Sequence, residues 1–124
     1  MARKKQKVGN RFNESKLRWR NFPPFLIRPL IEVGQQGEKK YGTYNFLKGQ
    51  TINNCLDSLM RHLDAFVDPD QPDNDTESGI THLGHIAWNS LVAAYMMKTR
   101  PDLDDRYKGE KSASKIQKAK RKSR

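Results

Sequence analysis

The sequence predicts a small all-α bundle of three to four helices, carrying basic tails that are disordered on their own. Apolar residues recur at spacings of three and four in the central segments, and no stretch shows convincing strand alternation. A chain of 124 residues is long enough to bury one core. No stretch approaches the roughly 20 apolar residues of a membrane span. We therefore expect a cytoplasmic protein with no membrane partner.

The positive charge belongs to the ends of the chain. The net charge is +10, yet residues 1–11 hold five basic residues without an acid, and residues 108–124 hold eight against one acid. The core, residues 12–107, then has 11 basic and 13 acidic residues. Like-charge runs of this kind remain unfolded alone and hold phosphate backbones by charge. The candidate nucleic-acid-binding residues of the tails are Lys4, Lys5, Lys118, Lys120, Arg121 and Lys122.

The first helix is predicted from its prolines and glycines. Pro23-Pro24 favours an extended start, and Pro29 is tolerated best in a first turn. The regular helix is therefore expected to begin near Arg28, and Gly42 is expected to end it.

The second helix has the clearest signals. Thr51 is a good N-cap, and an apolar stripe follows it at helical spacing. The stripe is Ile52, Leu56, Leu59, Leu63 and Phe66. Cys55 widens the stripe, so we interpret it as a core residue and not a nucleophile. Residues 68–78, with two prolines and five acidic residues, are predicted to form a loop.

The third helix is predicted from about Gly79 to Lys98, before Pro101. The residues assigned to its apolar face are Ile80, Leu83, Ile86, Ala87, Leu91, Ala94 and Tyr95. His82, His85 and Asn89 share a polar stripe. Further apolar residues wrap most of the helix, namely Ile80, Trp88, Val92, Tyr95 and Met96. A helix that is apolar on several faces must be buried more than once, which predicts at least a homodimer.

The polar residues alone leave their role open. The sequence lacks a Walker loop, a G-x-G-x-x-G, a paired C-x-x-C and an H-E-x-x-H motif. Carboxylates on facing helices can hold Mg²⁺, but Asp57 and Arg61 also form the i,i+4 pair of any solvated helix. His82 and His85 suit a transition metal, although capping or core hydrogen bonding is the more common use. These residues indicate a polar cleft and no particular reaction.

The order of several short motifs is more specific. They are Pro23-Pro24, Glu32, Lys40-Tyr41-Gly42, Asn45-Phe46, Arg61-His62-Leu63, Glu77-Ser78-Gly79, and His82-Leu83-Gly84-His85 with Asn89. With these motifs, which cover about residues 14–98, the chain resembles the MazG-like dATP/dGTP diphosphohydrolase family of phages and bacteria. The resemblance implies a helical, usually oligomeric enzyme of the phage nucleotide pool, working in the host cytoplasm. The implied reaction converts a purine deoxynucleoside triphosphate and water to the monophosphate and pyrophosphate.

The resemblance also implies a set of site residues. The catalytic candidates are Glu32, His62, His82 and His85. The candidate ligands of Mg²⁺, or alternatively Mn²⁺, are Glu32, Asp57 and Glu77. The candidate phosphate or nucleotide contacts are Lys40, Tyr41, Asn45, Arg61 and Asn89.

The chain departs from the family pattern at two core positions. Gln35 stands three residues after Glu32, where a second carboxylate is expected, and Phe46 replaces a tryptophan. The basic tails are additions to the pattern. An alternative hypothesis is therefore a non-enzymatic nucleic-acid-associated protein, with basic tails on a helical oligomeric core. A further one is a nucleotide-sensing or partner-binding module built on an inactive hydrolase.

Overall fold

Three helices form the core of the protein. The computed structural model describes residues 7–109, in which the helices are α1 (Pro24–Tyr41), α2 (Ile52–Val67) and α3 (His82–Thr99). Short 3-10 turns occur at Trp19–Asn21, Asn45–Lys48 and Pro101–Leu103. The described residues contain no strand, so the all-α prediction is confirmed. The six tail residues predicted to bind nucleic acid lie outside the described range.

Helix α1 begins earlier than predicted. It starts at Pro24, with Pro23 in extended conformation before it, so the predicted start near Arg28 is wrong. Pro29 lies inside the helix in its second turn, where the hydrogen bond that it lacks would reach back to the first turn. The predicted end is correct: Gly42 has a φ of 93° and donates its N–H to the Glu38 carbonyl at 2.9 Å.

Helix α2 matches its prediction closely. The Thr51 hydroxyl accepts a hydrogen bond from the backbone N–H of Asn54 at 3.2 Å, which confirms the N-cap. Ile52 and Cys55 are buried, whereas Leu63 near the other end is exposed. The apolar stripe is therefore covered mainly along the first half of α2.

Helix α3 differs from its prediction in start and in orientation. It begins at His82, capped by Thr81, because Gly79 adopts a φ of 73° that ends the preceding loop. The residues of α3 that are buried are His82, Gly84, Val92 and Met96. The predicted apolar face is wrong, since Leu83, Leu91 and Tyr95 are about half exposed. A helix that is apolar on nearly every side gives the sequence pattern no means of choosing the inward face.

The core lies between α2 and α3. Ile52 and Cys55 of α2 pack with Val92 and Met96 of α3, and partly buried residues surround them. The surrounding residues are Leu56, Trp88, Ala93 and Leu103. The interpretation of Cys55 as a core residue is confirmed by its burial, which also raises the pKa of its thiol.

Helix α1 packs on α3 along a narrow contact that we call the α1–α3 seam. A Cβ at Gly34 would lie 3.0 Å from Cζ3 of Trp88, and one at Gly84 would lie 3.1 Å from Cβ of Pro29. Each contact thus brings a glycine of one helix against a ring of the other. The two glycines allow the helices to approach closely.

The outer face of α3 leaves apolar surface uncovered. Leu83, Leu91 and Tyr95 are 50–55% exposed. None of the described helices has the length and apolarity needed to cross a membrane. Contiguous apolar surface of this kind favours association with another protein surface.

We expect the full chain to form a dimer or higher oligomer through this face of α3. Leu91→Lys should shift the equilibrium toward monomer, because it places a charge in the apolar contact. Leu17→Lys, a change at an exposed residue outside the helices, serves as the control. Sedimentation equilibrium at micromolar concentration measures the oligomeric state of the wild type and of both variants. A stable wild-type monomer would contradict the expectation.

Candidate functional site

A cleft of about 1100 Å³, lined by both polar and apolar groups, lies among the three helices. Ten of the predicted site residues line it, and they come from every helix and from the connecting segments. They are Lys40, Tyr41, Asn45, Asp57, Arg61, His62, Glu77, His82, His85 and Asn89. Glu32 is not among the lining residues: α1 faces the cleft with Gln35 and Glu38 instead. Of the site residues predicted within the core, the cleft lining therefore includes all except Glu32.

Three imidazoles meet at one end of the cleft and form what we call the imidazole cluster (His62, His82 and His85). The Nδ1 atoms of His62 and His82 lie 2.9 Å apart, so one ring donates its Nδ1–H to the other. The rings of His62 and His85 stack with centroids 4.2 Å apart and planes 5° from parallel. The spacing within α3 predicted that His82 and His85 share a stripe. It could not predict that His62 of α2 joins them.

The loop before α3 adds two residues that sequence reasoning missed. Asp75 Oδ2 accepts a hydrogen bond from the Ser78 backbone N–H at 2.9 Å and lies 3.8 Å from His85 Nε2. The Ser78 hydroxyl and His85 Nε2 are hydrogen-bonded at 2.8 Å. An aspartate three residues before a serine, in a turn-rich segment, is typical of a local side-chain-to-backbone turn. That spacing is the signal that could have indicated Asp75.

Burial sets the charges of this region. Desolvation lowers the pKa of His62 and of His85, and the neighbouring imidazoles lower the pKa of each ring further. Burial alone would raise the pKa of Asp75, but hydrogen bonds from Ser78 and the proximity of His85 lower it overall. Near neutral pH the His62 and His85 rings are therefore neutral beside a charged Asp75 carboxylate.

Two basic side chains reach the cleft from different helices. Lys40 of α1 forms an ion pair with Glu77, and that hydrogen bond raises the pKa of the lysine. Arg61 of α2 is exposed and makes no salt bridge with any residue from 7 to 109. Its guanidinium can bind an anion without first breaking an ion pair to a described residue.

Aromatic and amide groups shape the rest of the cleft wall. Phe46 packs edge-on against Trp88 with ring centroids 5.1 Å apart. Asn89 donates its side-chain N–H groups to the His85 carbonyl at 2.8 Å and to the Ser58 hydroxyl at 3.2 Å. Asn89 thereby ties α3 to α2, and its amide nitrogen is already occupied by these two bonds.

Comparison with known proteins identifies the family of the chain. The family model described as dATP/dGTP diphosphohydrolase, N-terminal, matches residues 6–106. The chain belongs to this family. No curated protein and no solved structure matches the chain significantly. The resemblance predicted from the sequence is thus confirmed, and the match spans the three helices and all the cleft residues.

In this dATP/dGTP diphosphohydrolase domain, the carboxylates predicted to hold Mg²⁺ do not converge. Glu32 lies outside the cleft lining, and Glu77 is paired with Lys40. Asp57 is an exposed residue of the cleft wall. Between residues 7 and 109, one group offers three ligand atoms within 4.8 Å of one another: His62, Asp75 and His82. Glu38 and Asp57 also line the cleft, so the lining offers the one or two carboxylates that Mg²⁺ commonly needs beside substrate phosphates, but the described residues form no group of three carboxylates.

Proposed function

We propose that this protein hydrolyses a purine deoxynucleoside triphosphate to the monophosphate and pyrophosphate within the cleft. The observation that carries the proposal is the composition of the cleft. Lys40, Arg61 and the imidazole cluster, from three helices, face one polar space in a chain of the dATP/dGTP diphosphohydrolase family. The volume of about 1100 Å³ lies just above the roughly 300–1,000 Å³ of ligand sites.

The basic side chains would hold the phosphates. A guanidinium binds phosphate oxygens through two parallel N–H donors, and an ammonium adds a point charge. Arg61 and Lys40 line the cleft from α2 and α1, and Lys40 would exchange its ion pair with Glu77 for a phosphate contact. When water attacks the α-phosphorus, negative charge builds on the departing pyrophosphate. Fixed cations stabilise that charge more in the transition state than in the ground state.

The aromatic residues would hold the base. Tyr41 and Phe46 line the cleft, and the Tyr41 residue is 65% exposed, so its ring offers a flat surface on which a purine can stack. A purine has a larger face than a pyrimidine, so a stacking site of this kind favours dATP and dGTP.

Mg²⁺ remains part of the proposal as an ion that enters with the nucleotide. It is commonly held by one or two carboxylates plus substrate phosphates, and it offsets phosphate charge. Asp57 is the predicted carboxylate that lines the cleft without pairing to Lys40. No step of the proposed reaction depends on a complete magnesium site built from Glu32, Asp57 and Glu77.

The decisive experiment incubates the full chain with each dNTP and Mg²⁺ or Mn²⁺, and resolves pyrophosphate from phosphate. We expect pyrophosphate, released faster from dATP and dGTP than from dCTP and dTTP. Asp57→Asn should lower turnover, whereas Glu32→Gln, matched in chemistry but outside the cleft, should not. The reverse result would assign the metal-binding carboxylate to Glu32 instead of Asp57. Release of no pyrophosphate from any dNTP would overturn the proposed function.

Nucleic-acid association stays a second proposal, supported by charge alone. The two tails hold 13 of the 24 basic residues, and the core between them is slightly acidic. A basic tail can hold phosphate backbones without sequence preference, and such binding weakens steeply with salt. This activity is compatible with hydrolysis in the cleft, because the two would use different residues.

A further inference from the structure

The strongest unassigned feature is the group of His62, Asp75 and His82. These residues come from α2, from the loop after it, and from the first position of α3. Their ligand atoms lie within 4.8 Å of one another, and all three residues line the cleft. The His82 side chain is buried, and the other two are half-buried. Three polar side chains from separate segments thus converge at a place with restricted access to water.

The loop is fixed so that it presents Asp75. The backbone N–H of Asp75 donates to the Ile80 carbonyl at 2.8 Å, and the Asp75 carbonyl accepts from the Gly79 N–H at 2.7 Å. The His82 N–H donates to the Asp73 carbonyl at 3.1 Å. These bonds join the loop to the start of α3. A carboxylate has about four acceptor positions, so the bond from Ser78 leaves Asp75 able to bind a cation.

The distance between the two imidazoles also fits a shared ion. Two histidine nitrogens bound to one tetrahedral zinc at 2.0–2.1 Å lie about 3.3 Å apart. The Nδ1 atoms of His62 and His82 lie 2.9 Å apart, so a separation of a few tenths of an ångström would admit an ion. Each ring can offer its Nδ1 lone pair there once the donor ring carries its proton on Nε2 instead, as ligation by a neutral imidazole requires.

The donor set selects the kind of metal. Two imidazole nitrogens and one carboxylate oxygen suit a divalent transition metal, whereas magnesium prefers oxygen ligands throughout. Three protein ligands are also typical of catalytic metal sites, which keep at least one coordination position open. We propose that His62, Asp75 and His82 bind one divalent transition-metal ion with its open coordination position facing the cleft. Contact between that position and a triphosphate oxygen rests on the proposed function; the metal binding itself does not.

The binding is tested on the full chain without nucleotide, after removal of metals with a chelator. We expect calorimetric titration with ZnCl₂ to show one ion per chain, and CoCl₂ to give the visible absorption of a low-symmetry Co²⁺ site. Asp75→Asn keeps an oxygen for the Ser78 hydrogen bond but loses the charge. It should weaken Zn²⁺ binding by more than the roughly 10- to 100-fold cost of losing an outer-shell partner. Asp73→Asn, in the same loop and with an exposed side chain, should bind as wild type does.

A second measurement does not depend on the folding of any variant. The chain has three histidines, so their ring nitrogen resonances can be resolved in a heteronuclear NMR spectrum. Zn²⁺ should shift the Nδ1 signals of His62 and His82 by direct ligation, with a smaller change at His85. Absence of Zn²⁺ and Co²⁺ binding by wild type would overturn the site. Equal binding by wild type and Asp75→Asn, or Zn²⁺ shifts confined to His85, would also overturn it. Neither result affects the pyrophosphate assay, so the two proposals fail separately.

Discussion

Replacing Arg61 by alanine is expected to reduce pyrophosphate release by about 10²- to 10³-fold, the usual cost of losing one fixed donor to a developing negative charge. Arg61 lines the cleft, is exposed, and makes no salt bridge with a described residue. Its loss therefore removes a phosphate contact without leaving a buried charge unpaired. The midpoint temperature of thermal unfolding should change little, so the effect on turnover can be separated from an effect on the fold.

Two further variants make this expectation specific. Arg61→Lys keeps the charge but loses the paired N–H donors, so it should recover part of the lost activity. Arg28→Ala removes an exposed arginine of α1 that does not line the cleft, and it should leave kcat/KM unchanged. If Arg28→Ala and Arg61→Ala reduced activity equally, the role assigned to the cleft arginine would be wrong.

Met96→Ala is expected to have the largest effect on stability, lowering the free energy of unfolding by about 2–5 kcal/mol. The Met96 side chain is 1% exposed and packs in the core with Ile52, Cys55 and Val92. Truncation to alanine removes apolar contacts and leaves a cavity that the surrounding helices fill only in part. In a small domain with a modest core, this is a large share of the total stability.

The next residue provides the matched control. Met97 is 40% exposed, so Met97→Ala should change the free energy of unfolding by about 0.5 kcal/mol or less. Urea unfolding followed by circular dichroism measures both variants under the same conditions. Equal destabilisation by the two substitutions would show that the inward face of α3 has been assigned incorrectly.

The helices could be predicted where a local signal decided them. Thr51 and the apolar spacing after it located α2, and Gly42 located the end of α1. The start of α1 was predicted incorrectly because a proline is tolerated in the second turn as well, where the hydrogen bond that Pro29 lacks would reach back to the first turn. The inward face of α3 was also predicted incorrectly. Its periodicity is nearly uniform around the helix, and only packing against α2 selects Val92 and Met96.

The candidate site was predicted in its residues more than in its geometry. The motif resemblance named ten residues that line the cleft, but it could not place Glu32, whose position depends on the rotation of α1 about its axis. The convergence of His62 with His82 depends on how the loop between α2 and α3 reverses the chain. Asp75 was counted as one acid of that loop, and only its hydrogen bond to Ser78 shows where its carboxylate points.

The α1–α3 seam has a consequence for how a nucleotide reaches the cleft. One wall of the cleft, α1, contacts α3 where Gly34 meets Trp88 and where Pro29 meets Gly84, and it contributes none of the four buried residues of the core between α2 and α3. A local opening can therefore separate α1 from its neighbours while that core stays intact, at a cost below that of global unfolding. Under the proposed function, opening of the α1–α3 seam would admit a nucleotide while the contacts among Ile52, Cys55, Val92 and Met96 are kept.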